Sequence, residues 1–214
     1  MEKPVIKKEN VVSKFDGRFV RVYDLQYAPG KHYYDATRRD IDHLVAIKSD
    51  EEFKGMLPDA VSCALILNIK GQEPLLYLSY EYRYPTGQYL LSVPAGLMDK
   101  DDRDVLETAR REIKEETGIT IEESDALTVV NPLVFSTPGM SDESNAFVQV
   151  VIQRDEMPDM NQEGAEGSEL FDGYVLLNKE EAKEILMKGR DENNNFYSVF
   201  TWMGLMCFVS DLWK

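Results

Sequence analysis

Glu112, Glu115 and Glu116 stand close together in the stretch "REIKEETGI". On a helix, spacings of i, i+3 and i+4 place all three on one face, within reach of a common centre. Carboxylates repel, so such a cluster calls for a cation among them. Their oxygens are hard ligands, suited to magnesium or manganese. Arg111 lies four residues before Glu115, where a salt bridge would fix one acid's orientation. Upstream stands "PAG", Pro94 to Gly96, whose glycine lets the backbone approach a ligand closely. A solvated acidic face is common on helices. The glycine loop, the hard donors and the embedded arginine together favour a divalent-metal site.

These groups need a helix to carry them, and Asp104 to Thr117 is expected to form it. Val105, Ala109 and Ile113 give its buried stripe and Gly118 its stop. Around it the pattern is strand-rich. "AVSCALILNI" and "PLLYLSYEY", joined by "KGQE", read as a hairpin. "QYLLSVPAG", "LTVVNPLVF", "AFVQVVIQR" and "GYVLL" read as further strands. Asn178 is placed to cap "KEEAKEILMKG", with Gly189 ending it, and a last helix begins near Tyr197. Before about Leu57, "GRFVRVYDLQYAPGKHYYDATRR" reads as two strands around "APGK", followed by a short helix capped by Ser49 or Asp50. Strands mixed with a few helices, without regular alternation, indicate an α+β or mixed-sheet sandwich.

The formal charge of −15 opposes sequence-independent binding to nucleic acid or an anionic membrane. A small phosphate compound remains compatible through a local basic group or a metal. Cys63 and Cys207 sit in apolar runs and read as buried free thiols. The start of the chain lacks the apolar run of a signal peptide, and the segment from Phe196 to Trp213 is too short and interrupted for a membrane span. A cytoplasmic protein is expected.

"REIKEETGI", Arg111 to Ile119, resembles the second half of the Nudix box, G-x5-E-x7-R-E-U-x-E-E-x-G-U, at every specified position. In the first half Gly96 lies one residue further from Arg111 than the pattern has it. Asp102 and Arg103 occupy the region of the box's first glutamate. A one-residue insertion with Asp102 in that glutamate's role accounts for the difference. "EYRYPTGQYLLSVPAGLMD" is similar to the segment preceding the box in ADP-ribose pyrophosphatases and related nucleoside-diphosphate-sugar hydrolases, although Ser92 stands where that group usually has a glutamate. "STPGMSDES" resembles the proline-glycine loop that follows the box there.

The resemblance, from roughly Gly17 to Lys214, implies a Nudix-type mixed β-sheet sandwiched between helices (58–214) and an N-terminal β-rich layer (1–57) that helps form a homodimer. It implies metal binding by Glu112, Glu115, Glu116 and the Ala95 carbonyl, with Mg2+ or Mn2+ as the cation and Arg111 organising the acids. Arg83 would contact the substrate's phosphates. Glu169 or Glu166, in the loop "NQEGAEGSELFDG", would serve the attacking water. In the N-terminal layer Tyr34, with Tyr33 behind it, would stack on a base, and Arg38 or Arg39 would reach the phosphates. The amides of the turn at Gly139 would meet a phosphate or ribose oxygen. The implied reaction is hydrolysis of a nucleoside-diphosphate-X compound, foremost ADP-ribose to AMP and ribose 5-phosphate. Another nucleotide sugar and a non-catalytic ligand-binding module are the competing expectations.

Overall fold

The computed structural model describes residues 3–164 and 167–214, which form two compact units. The larger comprises residues 59–134 and 145–214, and the smaller residues 1–58 and 135–144.

The larger unit is built on a seven-stranded sheet. Its spine is β4 (Ala60–Ile69), buried along nearly its whole length. It pairs in parallel with β9 (Ser144–Arg154), from Ala60 opposite Asn145 to Ile69 opposite Arg154. On the other side β4 changes partner. Its second half pairs antiparallel with β5 (Leu75–Arg83), and its first half with the short β7 (Ala95–Leu97). Freed from β4, the end of β5 pairs with β6 (Gln88–Ser92). β10 (Phe171–Leu177) lies along the outer side of β5, and β8 (Ala126–Phe135) lies beside β9. Because β4 pairs in parallel with β9 and antiparallel with β5 and β7, the sheet is mixed.

Both faces of β4 are covered, which explains its unbroken apolar sequence. Val61, Cys63, Leu65, Leu67 and Ile69 pack with Ala109 and Ile113 of α2 (Val105–Thr117). Ile66, with Leu76 and Leu78 of β5, packs on the opposite face with Ala182 and Ile185 of α3 (Lys179–Lys188) and Leu205 and Phe208 of α4 (Val199–Val209). The sheet is thus sandwiched between helices, as the sequence leads one to expect. Both cysteines are buried and free. Among the described residues, no helix is long and apolar enough to cross a membrane.

The smaller unit holds a three-stranded antiparallel sheet, β1 (Val11–Asp16), β2 (Arg21–Ala28) and β3 (Lys31–Thr37). Val11, Tyr23, Leu25 and Leu44 form its core. Ser49 caps α1 (Asp50–Lys54) in a capping box with Glu52. The segment 135–144 belongs to this unit: the Ala36 amide donates to the Met140 carbonyl, and Phe135 stacks on Phe53.

Candidate active site

α2 begins where Asp104 accepts hydrogen bonds from the amides of Leu106 and Glu107, each at 2.9 Å. It ends at Gly118, whose φ of 75° is the left-handed conformation glycine adopts without strain. Between these ends the apolar stripe faces β4, which turns Glu112 and Glu116 inward. They are only 5% and 3% exposed, while Glu115 is half-buried. β7 packs directly on this face. A side chain at Gly96 would put its Cβ 1.9 Å from the Glu112 carboxylate, which would have to move away. The space that the glycine opens therefore admits Glu112 itself. The Ala95 amide donates to Glu116 at 3.1 Å.

Arg111 ties the acids together. One nitrogen bonds Glu112 at 2.7 Å and Glu115 at 3.1 Å; the other bonds Asp102 at 3.0 Å and the Leu97 carbonyl at 2.8 Å. Asp102 also accepts from the Asp99 amide and the Thr108 hydroxyl, both at 2.9 Å. It fixes the loop entering α2 as well as the arginine, and its hydrogen bond from Arg111 holds its carboxyl below the usual range. Arg103 points elsewhere, to Glu107.

The remaining acids arrive from other elements. Glu81, on β5, is 8% exposed and pairs with Arg83 at 2.5 Å. Sequence reasoning did not single it out. The loop before β10 is anchored at both ends. The Asn161 amide donates to the Thr117 carbonyl at 3.0 Å, and the Tyr82 amide donates to the Leu170 carbonyl at 2.8 Å. Gly164 sits against the Glu115 backbone, where an added Cβ would lie 2.5 Å from its carbonyl oxygen. This anchoring carries the exposed Glu169, whose charge acts on Glu81, Glu112 and Glu116. Glu166 lies outside the described residues.

The cost of this assembly shows in its protonation. Burial pushes Glu112 up to about 7 against the pull of Arg111. Glu116 is also raised well above the usual carboxylate range, by burial first, with the charges of Glu81, Glu112 and Glu169 adding to it. Among the described residues, no three acid, histidine or cysteine side chains are gathered closely enough to hold a metal ion as they stand, because Glu112 and Glu115 turn to Arg111 and Glu116 to Ala95. The donor set nevertheless fits a divalent cation. It is all hard oxygen, it is partly buried, and its acids have more negative charge than Arg111 and Arg83 offset.

Tyr34, Arg38 and Gly139 belong to the smaller unit. Tyr34 is 56% exposed and lines a pocket of about 340 Å³ with Phe53, Phe135 and Pro138. Arg38 reaches Glu143 at 3.6 Å, and Arg39 bonds Asp142 at 3.1 Å. Tyr33 donates to the Gly139 carbonyl at 2.8 Å. The expected amide-lined turn differs in one respect. The Met140 and Ser141 amides both point back to the Thr137 carbonyl, closing the turn on itself.

A family profile described as NUDIX domain matches residues 56–199. The chain is 35% identical over 91 residues to Nudix hydrolase 14, chloroplastic, of Arabidopsis thaliana, covering 39% of this chain and 29% of that protein. It is 30% identical over 126 residues to the ADP-sugar pyrophosphatase of Mus musculus, covering 59% of this chain and 56% of that one. The matched stretch is thus less than two thirds of either relative. A solved structure described as that of an ADP compounds hydrolase aligns over 99% of this chain and 97% of its own, with a TM-score of 0.55 and 20% identity, a likeness of fold.

Proposed function

We propose, from the premise that the chain belongs to the NUDIX family, that it hydrolyses the diphosphate of a nucleoside-diphosphate-X compound, with ADP-ribose the foremost substrate. One observation carries this reading: the inward face of α2, where Glu112 and Glu116 are buried against β7 with Arg111 bridging Glu112 to Glu115 and Asp102. The printed name of the mouse relative, ADP-sugar pyrophosphatase, supports the substrate class.

Glu112, Glu115, Glu116 and the Ala95 carbonyl would hold magnesium or manganese, which when bound offsets diphosphate charge and acidifies water. Arg83 binds the diphosphate through its planar fork of donors. Arg111 keeps the acids oriented. Glu169, on its doubly anchored loop, holds the attacking water and accepts its proton. Glu166, in the same loop, is the alternative for this role. The water oxygen bonds to one phosphorus as the bridging P–O bond breaks, and the bridging oxygen leaves with the other phosphate. From ADP-ribose the products are AMP and ribose 5-phosphate. Tyr34 stacks on the base, and Arg38 and the turn at Gly139 contact the phosphates or ribose. The exposed Val12 and Phe15 of the N-terminal sheet support a homodimer, which light scattering on the purified chain tests. We assign the protein to the cytoplasm.

The deciding experiment is product analysis with ADP-ribose and a panel of nucleotide sugars, in magnesium, in manganese and in chelator. Metal-dependent AMP release, fastest from ADP-ribose, is expected. Faster cleavage of another member reassigns the substrate. Binding without turnover of any member replaces the enzyme with a ligand-binding module.

A further inference from the structure

Glu81 is a buried acid to which the mechanism above gives no task. Burying a carboxylate beside Glu116 and Glu169 is costly, and charged residues are uncommon within strands. It lies two residues before Arg83, so both side chains project from the same face of β5. Their contact, Oε2 to Nη2 at 2.5 Å, joins unequal partners: the acid's side chain is 11% exposed and the arginine's is 45%. Burial raises the Glu81 carboxyl, and Arg83, with Ser92 on the neighbouring strand, pulls it back. The backbone between the pair is pinned where the Tyr82 amide meets Leu170.

We propose that Glu81 is a positioning residue: it grips one nitrogen of Arg83 from the buried side and presents the rest of the guanidinium to the substrate's diphosphate. The assignment rests on the diphosphate reading above. An exposed arginine samples many rotamers, and ordering it on binding costs affinity. An arginine already held by a buried carboxylate has lost that freedom beforehand. Because its fork carries five donors, one contact leaves others for a phosphate.

The test is Glu81→Gln, which keeps size and hydrogen bonding but removes the charge. Its readouts are steady-state kinetics with ADP-ribose, calorimetric binding of the α,β-methylene analogue of ADP-ribose, and Mn2+ titration without substrate. Loss of one charge-assisted contact is expected to raise KM, and to weaken analogue binding, about tenfold. kcat and Mn2+ affinity are expected to stay near those of the unaltered protein. Arg83→Ala weakens binding at least as much, and the double variant no further, because both changes remove one element. Unchanged KM and analogue binding in Glu81→Gln overturn the proposal, as do effects of the two variants that multiply. A fall in Mn2+ affinity overturns it by making Glu81 a ligand. If the unaltered protein neither cleaves ADP-ribose nor binds the analogue, the diphosphate reading itself fails.

Discussion

Both units bury carboxylates beside one another, and they settle the repulsion differently. In the smaller unit, Asp142 accepts from Arg39 at 3.1 Å and from the Val45 amide at 3.1 Å. Its neighbour Asp35 is 6% exposed and keeps one carboxylate oxygen without a hydrogen-bond partner. Burial, and then the charge of Asp142, push Asp35 up to about 6. One proton relieves that pair. In the larger unit Glu81, Glu112, Glu115, Glu116 and Glu169 face one another from three elements, with Arg111 and Arg83 as counter-charges. A single proton leaves most of that repulsion in place. The first arrangement is a local cost of packing, whereas the second gathers more carboxylates than its two arginines offset.

The sharpest way to break the contrast is Glu116→Gln. It is expected to lower kcat/KM about 10³-fold, since an amide is a poor ligand for a hard cation. The melting temperature is expected to hold or rise because a buried acid has been neutralised. Near-normal turnover would place the metal elsewhere. Magnesium itself is the next probe. At about a hundred times its dissociation constant it should stabilise the protein by about 2.7 kcal/mol. Thermal melts should show that gain undiminished in Asp35→Asn and lost in Glu112→Gln. A smaller effect is expected from Gly96→Ala, where the added methyl displaces the Glu112 carboxylate. Overpacking of this kind costs about 1–3 kcal/mol, and turnover should fall with it.

Asp35→Asn is expected to be the mildest change, and it is a stabilising one. The folded-state value of about 6 lies above the ordinary 3.8. Asp35's contribution is therefore fully present below 3.8 and lost as pH rises through about 6. The variant's advantage should grow across that window and level off above it, at up to about 3 kcal/mol. Chemical denaturation of both proteins from pH 4 to 8 measures this. A flat difference would show that Asp35 is ionised throughout.

Much of this arrangement was legible in the sequence because it is local. The helix expected over 104–117 begins at Val105 with Asp104 as its cap, one residue from expectation. Asp102 takes the arginine contact that the altered half of the box left open. β1 escaped notice because only its first residue is buried, so it has no alternating pattern to read. β7 was read as a continuation of β6, but Pro94 lies between them, and β7 pairs with β4 while β6 pairs with β5. Glu81 went unremarked because an acid between two tyrosines in a strand looks outward-facing. Its burial depends on β10, β6 and the loop after Glu169, all distant in sequence. The pairing of residues 135–144 with the N-terminal unit is likewise a matter of long-range contact.

The parallel pairing of β4 with β9 has a consequence for how the chain comes to be folded. The hairpin of β4 and β5, and the helix α2, can each begin locally. The strand that pairs with the whole length of β4 is made only after α2 and β8 have been synthesised. Closing so long a loop costs entropy before it returns any contact, which makes such pairings slow. Until β9 docks, the most apolar strand of the protein has one open edge. A newly made chain is thus at its most adhesive between the synthesis of its acidic helix and the arrival of its ninth strand.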